Sequence, residues 1–364
     1  MNARTSIQWT ERTWSPVRGC SRVSAGCTNC YAERIAYRFS GPGLPYEGLA
    51  TKVNGHAAWT GQIRYVTEDV ALPLRWRRPS RIFVNSMSDL FHEGVTDDQL
   101  VELFAVMANS PTHTFQVLTK RPERMRAVLG RLRWMTGLAV VDIYGYRTML
   151  ARLPFLGDDP AQYWPRIDDG RPATPPKVLE QFVAPNIWLG VSVENQATAD
   201  QRIPLLLDTP AAIRFVSYEP ALGPVDFTAI GKTHESDPGF SALTWTPDDE
   251  GTLGDAVLDW VIVGGESGPG ARPCAIEWLE VAVRQCQAAG VAVFVKQLGA
   301  HVVSEQRAAT SAADLLSILG PEARWPEDRW LWRAGLTDRK GGDPAEWRPD
   351  LRVREFPFPA ERRS

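Results

Sequence analysis

Seven short apolar runs, rich in β-branched and aromatic residues, constrain this chain more than any other feature. They are Ser6–Thr10, Arg81–Ser86, Thr114–Thr119, Ile187–Val193, Ile213–Ser217, Trp260–Gly264 and Val291–Lys296. Each is too short for a helix. Their continuous apolar character predicts strands buried on both faces, as in a parallel sheet. Helical patterns lie between them, over 30–39, 96–107, 122–129, 198–207 and 276–289. In the second, Thr96 or Asp97 is placed to cap a helix with Leu100, Leu103, Phe104 and Met107 on one face. The last stops at Gly290, a residue suited to the left-handed turn that ends a helix. This alternation predicts an α/β fold, a partial or full (β/α) barrel of TIM-barrel type.

Two stretches break the rhythm. Residues from about 131 to 184 read as an insertion between the third and fourth strands. Residues 227–256 are polar and rich in Gly, Pro and Asp, and read as a surface loop. From residue 300 the chain is rich in Trp, Arg and Pro, which predicts an irregular appendage over 300–364 on a barrel of residues 1–299. With 364 residues and 44% hydrophobic content the chain can bury a sizeable core. A net charge of −3 excludes a global basic field for nucleic acid. Local basic runs remain at Arg75–Arg78 and at Lys120–Arg121. The N-terminal segment has no apolar core, and no apolar run reaches about 18 residues, which predicts a soluble cytoplasmic protein with no membrane partner.

Three of the five cysteines, Cys20, Cys27 and Cys30, fall within eleven positions in the spacing C-x6-C-x2-C. In a reducing compartment such a cluster points to metal binding or catalysis rather than to disulfides. Three thiolates can hold a metal and leave one position without a protein ligand, as catalysis at a metal requires. A structural zinc is the competing reading. It needs a fourth ligand, for which His56 and His92 are the candidates. Cys274 and Cys286 stand apart, and Cys286 lies on an apolar helical face where an inert thiol is the default.

Polar residues collect where the strand candidates end. The second ends in Asn85, Ser86, Ser88 and Asp89, and the third in Thr119, Lys120 and Arg121. The fourth ends in Ser192 and Glu194, and the fifth in Ser217 and Glu219. The sixth ends in Gly264, Gly265 and Glu266, and the seventh in Lys296 and Gln297. In a parallel α/β barrel the C-terminal strand ends form the functional face, and the cysteine loop follows the first strand. Glu194, Glu219, Glu266 and Lys296 are therefore the catalytic candidates. A buried carboxylate needs a partner, which Lys120, Arg121, Arg272 or Lys296 can supply. Gly264 and Gly265 read equally as a tight turn and as room for a ligand. The run Arg75–Arg81 with Trp76 reads first as a solvated basic turn, and second as a grip on phosphate and base. His92 reads first as a structural histidine and second as a base.

The ordered segments carry a resemblance. Trp14 to Glu33, RIFVNSMSDLFHE (81–93), VLTKRPERM (117–125), NIWLGVSVENQ (186–196), FVSYEPALGPVD (215–226), WVIVGGESGPGARP (260–273) and VFVKQLG (293–299) together resemble a phage and prophage protein family of unknown function. Its three-cysteine motif is similar to that of radical S-adenosylmethionine enzymes. Those enzymes are (β/α) barrels in which three cysteines hold a four-iron, four-sulfur cluster. The open iron binds S-adenosylmethionine, whose reductive cleavage gives a 5′-deoxyadenosyl radical. The resemblance implies that Cys20, Cys27 and Cys30 are cluster ligands and that Tyr31 contacts the adenine.

Three departures accompany it. Six residues instead of three lie between the first two cysteines, and Asn29 replaces the usual aromatic residue before the last cysteine. The Gly-Gly-Glu that usually follows the second strand follows the sixth here. By position, Asn85, Ser86, Ser88 and Asp89 take the methionine end, with Ser192, Gly264 and Gly265 as further cofactor contacts. Glu266 moves to the substrate side. The function implied is a radical-type iron–sulfur enzyme using S-adenosylmethionine and an electron donor, with a nucleic acid or nucleotide as the substrate class, for modification or repair. The alternatives are a zinc-stabilised nucleic-acid-binding protein without catalysis and an iron–sulfur enzyme using its open iron as a Lewis acid.

Overall fold

The computed structural model describes residues 5–143, 146–156, 177–232, 234, 237–244, 256–304, 332–333 and 336–357; for 133–143, 146–156, 177–180 and 332–333 this covers the backbone. Seven parallel strands form one sheet in their order along the chain. They are β1 (Arg12–Trp14), β2 (Arg81–Val84), β3 (Thr114–Thr119), β4 (Ile187–Val193), β5 (Ile213–Tyr218), β6 (Trp260–Gly264) and β7 (Ala292–Gln297). β1 and β7 are its outer strands, so the barrel is partial. The helices are α1 (Tyr31–Arg38), α2 (Asp97–Ala108), α3 (Pro122–Leu129), α4 (Gln196–Leu207) and α5 (Ile276–Ala289). All five fall on the expected helical patterns. Gly290 ends α5 with φ of 66°, the left-handed conformation that glycine adopts without a Cβ penalty. Among the described residues no helix is long and apolar enough to cross a membrane.

The chain divides into two compact units, and the division passes through β4. The first holds Met1–Arg22, Ala32–Leu189 and Asp208–Ala212. Its core sets Trp14 edge-on to Phe115 at 5.8 Å, and Phe104 of α2 against Phe91 and Phe182 at 6.3 and 5.9 Å. The first strand departs from expectation. Residues 7–10 make a turn, with Thr10 N donating to Ile7 O, and pairing with β2 begins at Arg12. The apolar character of that run has another cause: Trp9 is buried against Phe83 at 4.7 Å. The expected insertion is a three-stranded antiparallel sheet of Leu132–Ile143, Tyr146–Leu156 and Lys177–Gln181; the rest of it lies outside the described residues.

The second unit holds Val23–Tyr31, Gly190–Leu207 and Ile213–Ser364. Trp260 centres its core, with Phe215 at 5.6 Å, Phe294 at 6.3 Å and Phe356 at 5.4 Å. The C-terminal appendage covers the β7 edge: Val295 N donates to Val353 O and Glu355 N to Val293 O, both at 2.9 Å. An edge paired in this way is no longer a template for another chain. The expected surface loop is corrected in its first half. Phe227, Ile230 and Ala242 are fully buried, and Ile230 bridges Phe240. Residues 245–255, and 305–331 of the appendage, lie outside the described residues.

α2 opens with a complete capping box. Thr96 Oγ1 accepts from Gln99 N at 3.2 Å and Gln99 Oε1 accepts from Thr96 N at 3.0 Å. Both are exposed, so Thr96→Ala removes the cap without disturbing the core. We expect it to destabilise the first unit by about 1 kcal/mol, read as a lower thermal midpoint; an unchanged midpoint would show that water replaces the cap at no cost.

Candidate functional site

In the second unit three carboxylates stand at the C-terminal strand ends, and each has its own cation. Glu194 follows β4 and is fully buried. Arg202, two turns along α4, holds it at 3.2 Å and also donates to Ser192 O at 2.6 Å. Ser24 Oγ of the cysteine loop donates to Glu194 Oε1 at 2.8 Å. Gly26 lies against the same group: a Cβ there would come within 2.3 Å of Glu194 Oε1. A carboxylate clamped by a buried guanidinium cannot swing aside, so this position accepts only glycine without displacement.

Glu266 is the second. Arg272 grips it bidentately, Nη2 to Oε1 at 2.7 Å and Nε to Oε2 at 3.1 Å, and adds its backbone N–H at 2.9 Å. Asn29 Nδ2 donates to Glu266 Oε2 and to Gly270 O, both at 2.9 Å. Arg272 Nη1 reaches Ala25 O at 2.8 Å. Burial pushes the Glu266 carboxyl up, but the bonds from Arg272 and Asn29 outweigh it and leave the group below the usual carboxylate range. Asn29 and the Gly-Gly-Glu turn after β6 thus meet in one hydrogen bond.

Glu219 is the third, with Lys296 Nζ at 2.5 Å and Gln297 Nε2 at 3.1 Å. Its side chain is 17% exposed, against 8% for Glu266 and 1% for Glu194. It is the most exposed carboxylate of the three. Ser192 Oγ donates to Glu219 O at 3.4 Å. Gly265 has a packing reason to be glycine, since a Cβ there would lie 2.1 Å from Leu298 O. Gly264 is tight in the same way, 3.1 Å from Gln297 O.

In the first unit a different network surrounds Cys20. Arg121 is the hub. It contacts Asp89 Oδ2 and Glu93 Oε2 at 3.2 Å, Ser21 Oγ at 2.7 Å and Cys20 Sγ at 4.0 Å. Burial works against its charge, yet Asp89, Cys20 and Glu93 raise its pKa above the ordinary arginine value. A guanidinium beside a sulfur favours the thiolate. Asp89 is saturated: Thr119 Oγ1, Phe91 N, Lys120 N and Arg121 Nη1 all donate to it. Ser88 Oγ is spent on Val17 O at 2.7 Å. Asn85 is buried at φ of 56°, and its Nδ2 has no partner among the described residues.

His92 is buried with both ring nitrogens engaged. Nδ1 accepts from Gly94 N at 3.1 Å, so Nε2 carries the proton and faces Ser21 Oγ at 3.0 Å. Burial first, and then Arg121, hold it below the usual histidine pKa. His56 is exposed in a hairpin of Ala50–Val53 and His56–Trp59. One face of Trp76 is covered by the Arg12 guanidinium at 4.9 Å and Arg81 is paired with Glu11, whereas Arg75, Arg77 and Arg78 are exposed.

Cys20, Cys27 and Cys30 are half-buried and form no disulfide; Cys20 belongs to the first unit, Cys27 and Cys30 to the second. Among the described residues no three Cys, His, Asp or Glu side chains form a preassembled metal site. Tyr31 is exposed at the start of α1. Cys274 and Cys286 are buried, and burial pushes both thiols up to about 12.

A family model described as "Protein of unknown function (DUF5131)" matches residues 4–321. The chain belongs to that family. No curated protein and no solved structure matches it. Membership covers the cysteine loop and every strand end described above.

The residues that sequence reasoning missed are the partners. Arg202 had a readable signal, since it shares a helical face with Ala199, Ile203 and Leu206, where an arginine implies a buried counter-charge. Ser24 and Ser21 had none. Asn29 was noticed as an anomaly, but its partner is 237 residues away.

The loop contacts give a direct expectation. Asn29→Ala or Gly26→Ala loosens the segment, and Cys27 and Cys30 then react several-fold faster with iodoacetamide, read by mass spectrometry of the native protein. Cys274 and Cys286 stay unmodified in all variants. Equal rates for wild type and both variants would mean the contacts do not hold the loop.

Proposed function

We propose that this protein is an iron–sulfur enzyme of the radical S-adenosylmethionine type, with Cys20, Cys27 and Cys30 as ligands of a four-iron, four-sulfur cluster. The observation that carries the reading is the loop: three half-buried cysteines outside any disulfide within eleven residues, on a segment anchored through Ser24, Ala25 and Asn29. The donor set suits a cluster, because thiolates are its ordinary ligands and three leave one iron open. It suits a closed zinc site poorly, because a fourth ligand is needed and both nitrogens of His92 are engaged. Since no site is preassembled, uptake requires the thiols to reorient, and Cys20 to give up its contact with Ser21 O at 3.4 Å.

Bound in this way, a cluster supplies an electron to S-adenosylmethionine and gives access to hydrogen abstraction. The share of the protein's own residues is positional. Asn85 offers a buried donor without a partner, which suits a carboxylate such as that of the methionine end. Tyr31, exposed beside Cys30, suits an adenine contact. Ser88 and Asp89 already serve Val17, Thr119 and Arg121, so they shape the strand end. Glu219 and Lys296 are placed to hold or move a proton at the substrate. Glu194 and Glu266 anchor the loop. A phage or prophage setting, a nucleic acid or nucleotide substrate, and an electron-donor partner complete the reading.

The test is anaerobic purification with metal analysis and electron paramagnetic resonance. We expect about four irons per chain, a reduced-state signal that changes on adding S-adenosylmethionine, and loss of iron in Cys20→Ala, Cys27→Ala or Cys30→Ala but not in Cys274→Ala. One zinc and no iron after reconstitution would sink the proposal. Iron without any response to the cofactor would replace it with the Lewis-acid reading.

A further inference from the structure

A second surface lies on the first unit, on α1 and the hairpin that follows it. Eight large apolar side chains are notably exposed among the described residues, and five of them, Ile35, Tyr37, Phe39, Leu44 and Val53, fall within 35–53. Such a concentration marks a binding surface rather than the scattered exposure of an ordinary one. α1 buries Ala32, Glu33 and Ala36 and turns Arg34, Ile35, Tyr37 and Arg38 outward. The hairpin of Ala50–Val53 and His56–Trp59 lies alongside: Trp59 N donates to Glu33 Oε1 at 3.3 Å, and Lys52 Nζ sits 5.4 Å from the centre of the Tyr37 ring.

The exposed charges of residues 34–53 are mostly cationic, Arg34, Arg38 and Lys52 against Glu47. Glu33 is the only acid of α1, and it is buried against Arg22. Arg34 and Arg38 are one helical turn apart and form no ion pair among the described residues. Glu47, the nearest exposed acid in sequence, accepts from Gly43 N at 2.8 Å. Cations and aromatic rings therefore alternate across an exposed face of a protein whose net charge is −3.

We infer that this face binds single-stranded nucleic acid, with phosphates on Arg34, Arg38 and Lys52 and unpaired bases against Tyr37 and Phe39. Rings stack on a base only when its face is free, which a duplex does not offer. The cations track the backbone, and both parts are needed because no wider basic field assists. An acidic peptide could match the charges, whereas a single strand offers a phosphate and a free planar base face at every nucleotide. Binding is measured without iron, so its failure leaves the cluster reading standing, and the converse holds too.

Fluorescence anisotropy of the full chain with a labelled mixed-sequence oligonucleotide, as single strand and as duplex, tests it. The single strand is expected to bind more tightly. Tyr37→Ala and Phe39→Ala each weaken it by at least about fivefold. Arg34→Gln with Arg38→Gln lowers the slope of log affinity against log salt by about 1.4, two phosphate contacts at the single-strand value. The substituted side chains are exposed, and circular dichroism confirms folding. Absence of binding, affinity indifferent to both sets of variants, or displacement by polyglutamate as readily as by oligonucleotide would overturn the inference.

Discussion

A carboxylate taken out of water must meet a cation or several donors, and the second unit is arranged around that requirement. The Glu194–Arg202 pair is the extreme case, with both side chains almost wholly buried. Such a pair adds little over a well-packed apolar alternative, yet removing one partner strands the other at a cost of roughly 3–5 kcal/mol. The pair is therefore better understood as a fixed object than as a source of stability. Ser24 bonds to it and Gly26 rests on it, so the loop between the first and second cysteines takes its course from a charge it does not itself carry. Glu266 with Arg272 does the same for Ala25 and Asn29. The backbone of the cysteine segment is thereby set by the ends of β4 and β6.

Much of the fold was legible because burial on both faces leaves a strong trace. Ile187–Val193 is buried at every position, and an unbroken apolar run of that length has few other readings. The same trace misled at Ser6–Thr10, where Trp9 is apolar because it caps the sheet on Phe83, not because it belongs to a ladder. Phe227 and Ile230 were hidden by the opposite effect. Their neighbours are polar, so the average composition read as surface while two fully buried side chains anchored the segment. Averages over a window cannot find an anchor of one or two residues. The long paired strands of the insertion escaped for a related reason: their partners are each other, and nothing outside fixes their period.

The candidate site was legible by residue type and illegible by pairing. Cysteine spacing and carboxylates after strands are local facts. That Ser24 meets Glu194 across 170 residues, or Asn29 meets Glu266 across 237, is decided by the register of the sheet. One consequence is a change of role. Glu194, Glu219 and Glu266 are equivalent in the sequence, each a short step beyond a strand. In the fold two are locked to arginines and to the loop, and one is held by Lys296. Only the third joins a carboxylate to a lysine, and that carboxylate is the most exposed of the three.

The same reasoning applies to Cys20 in the first unit, where the neighbour is a cation. Arg121 stays charged because Asp89 and Glu93 surround it, and Asp89 in turn is held by Thr119 and two backbone amides. Cys20 Sγ lies 4.0 Å from that guanidinium. Cys274 and Cys286 have the reverse surroundings, apolar and buried, and their thiols are pushed up to about 12. The five cysteines thus separate by environment along the line that spacing drew. The three in the loop are half-buried, and two of them take their backbone from buried carboxylates. The two outside it are packed as small apolar groups. Under the cluster reading proposed above, that main-chain anchoring would hold the Cys27 and Cys30 ligands to one place.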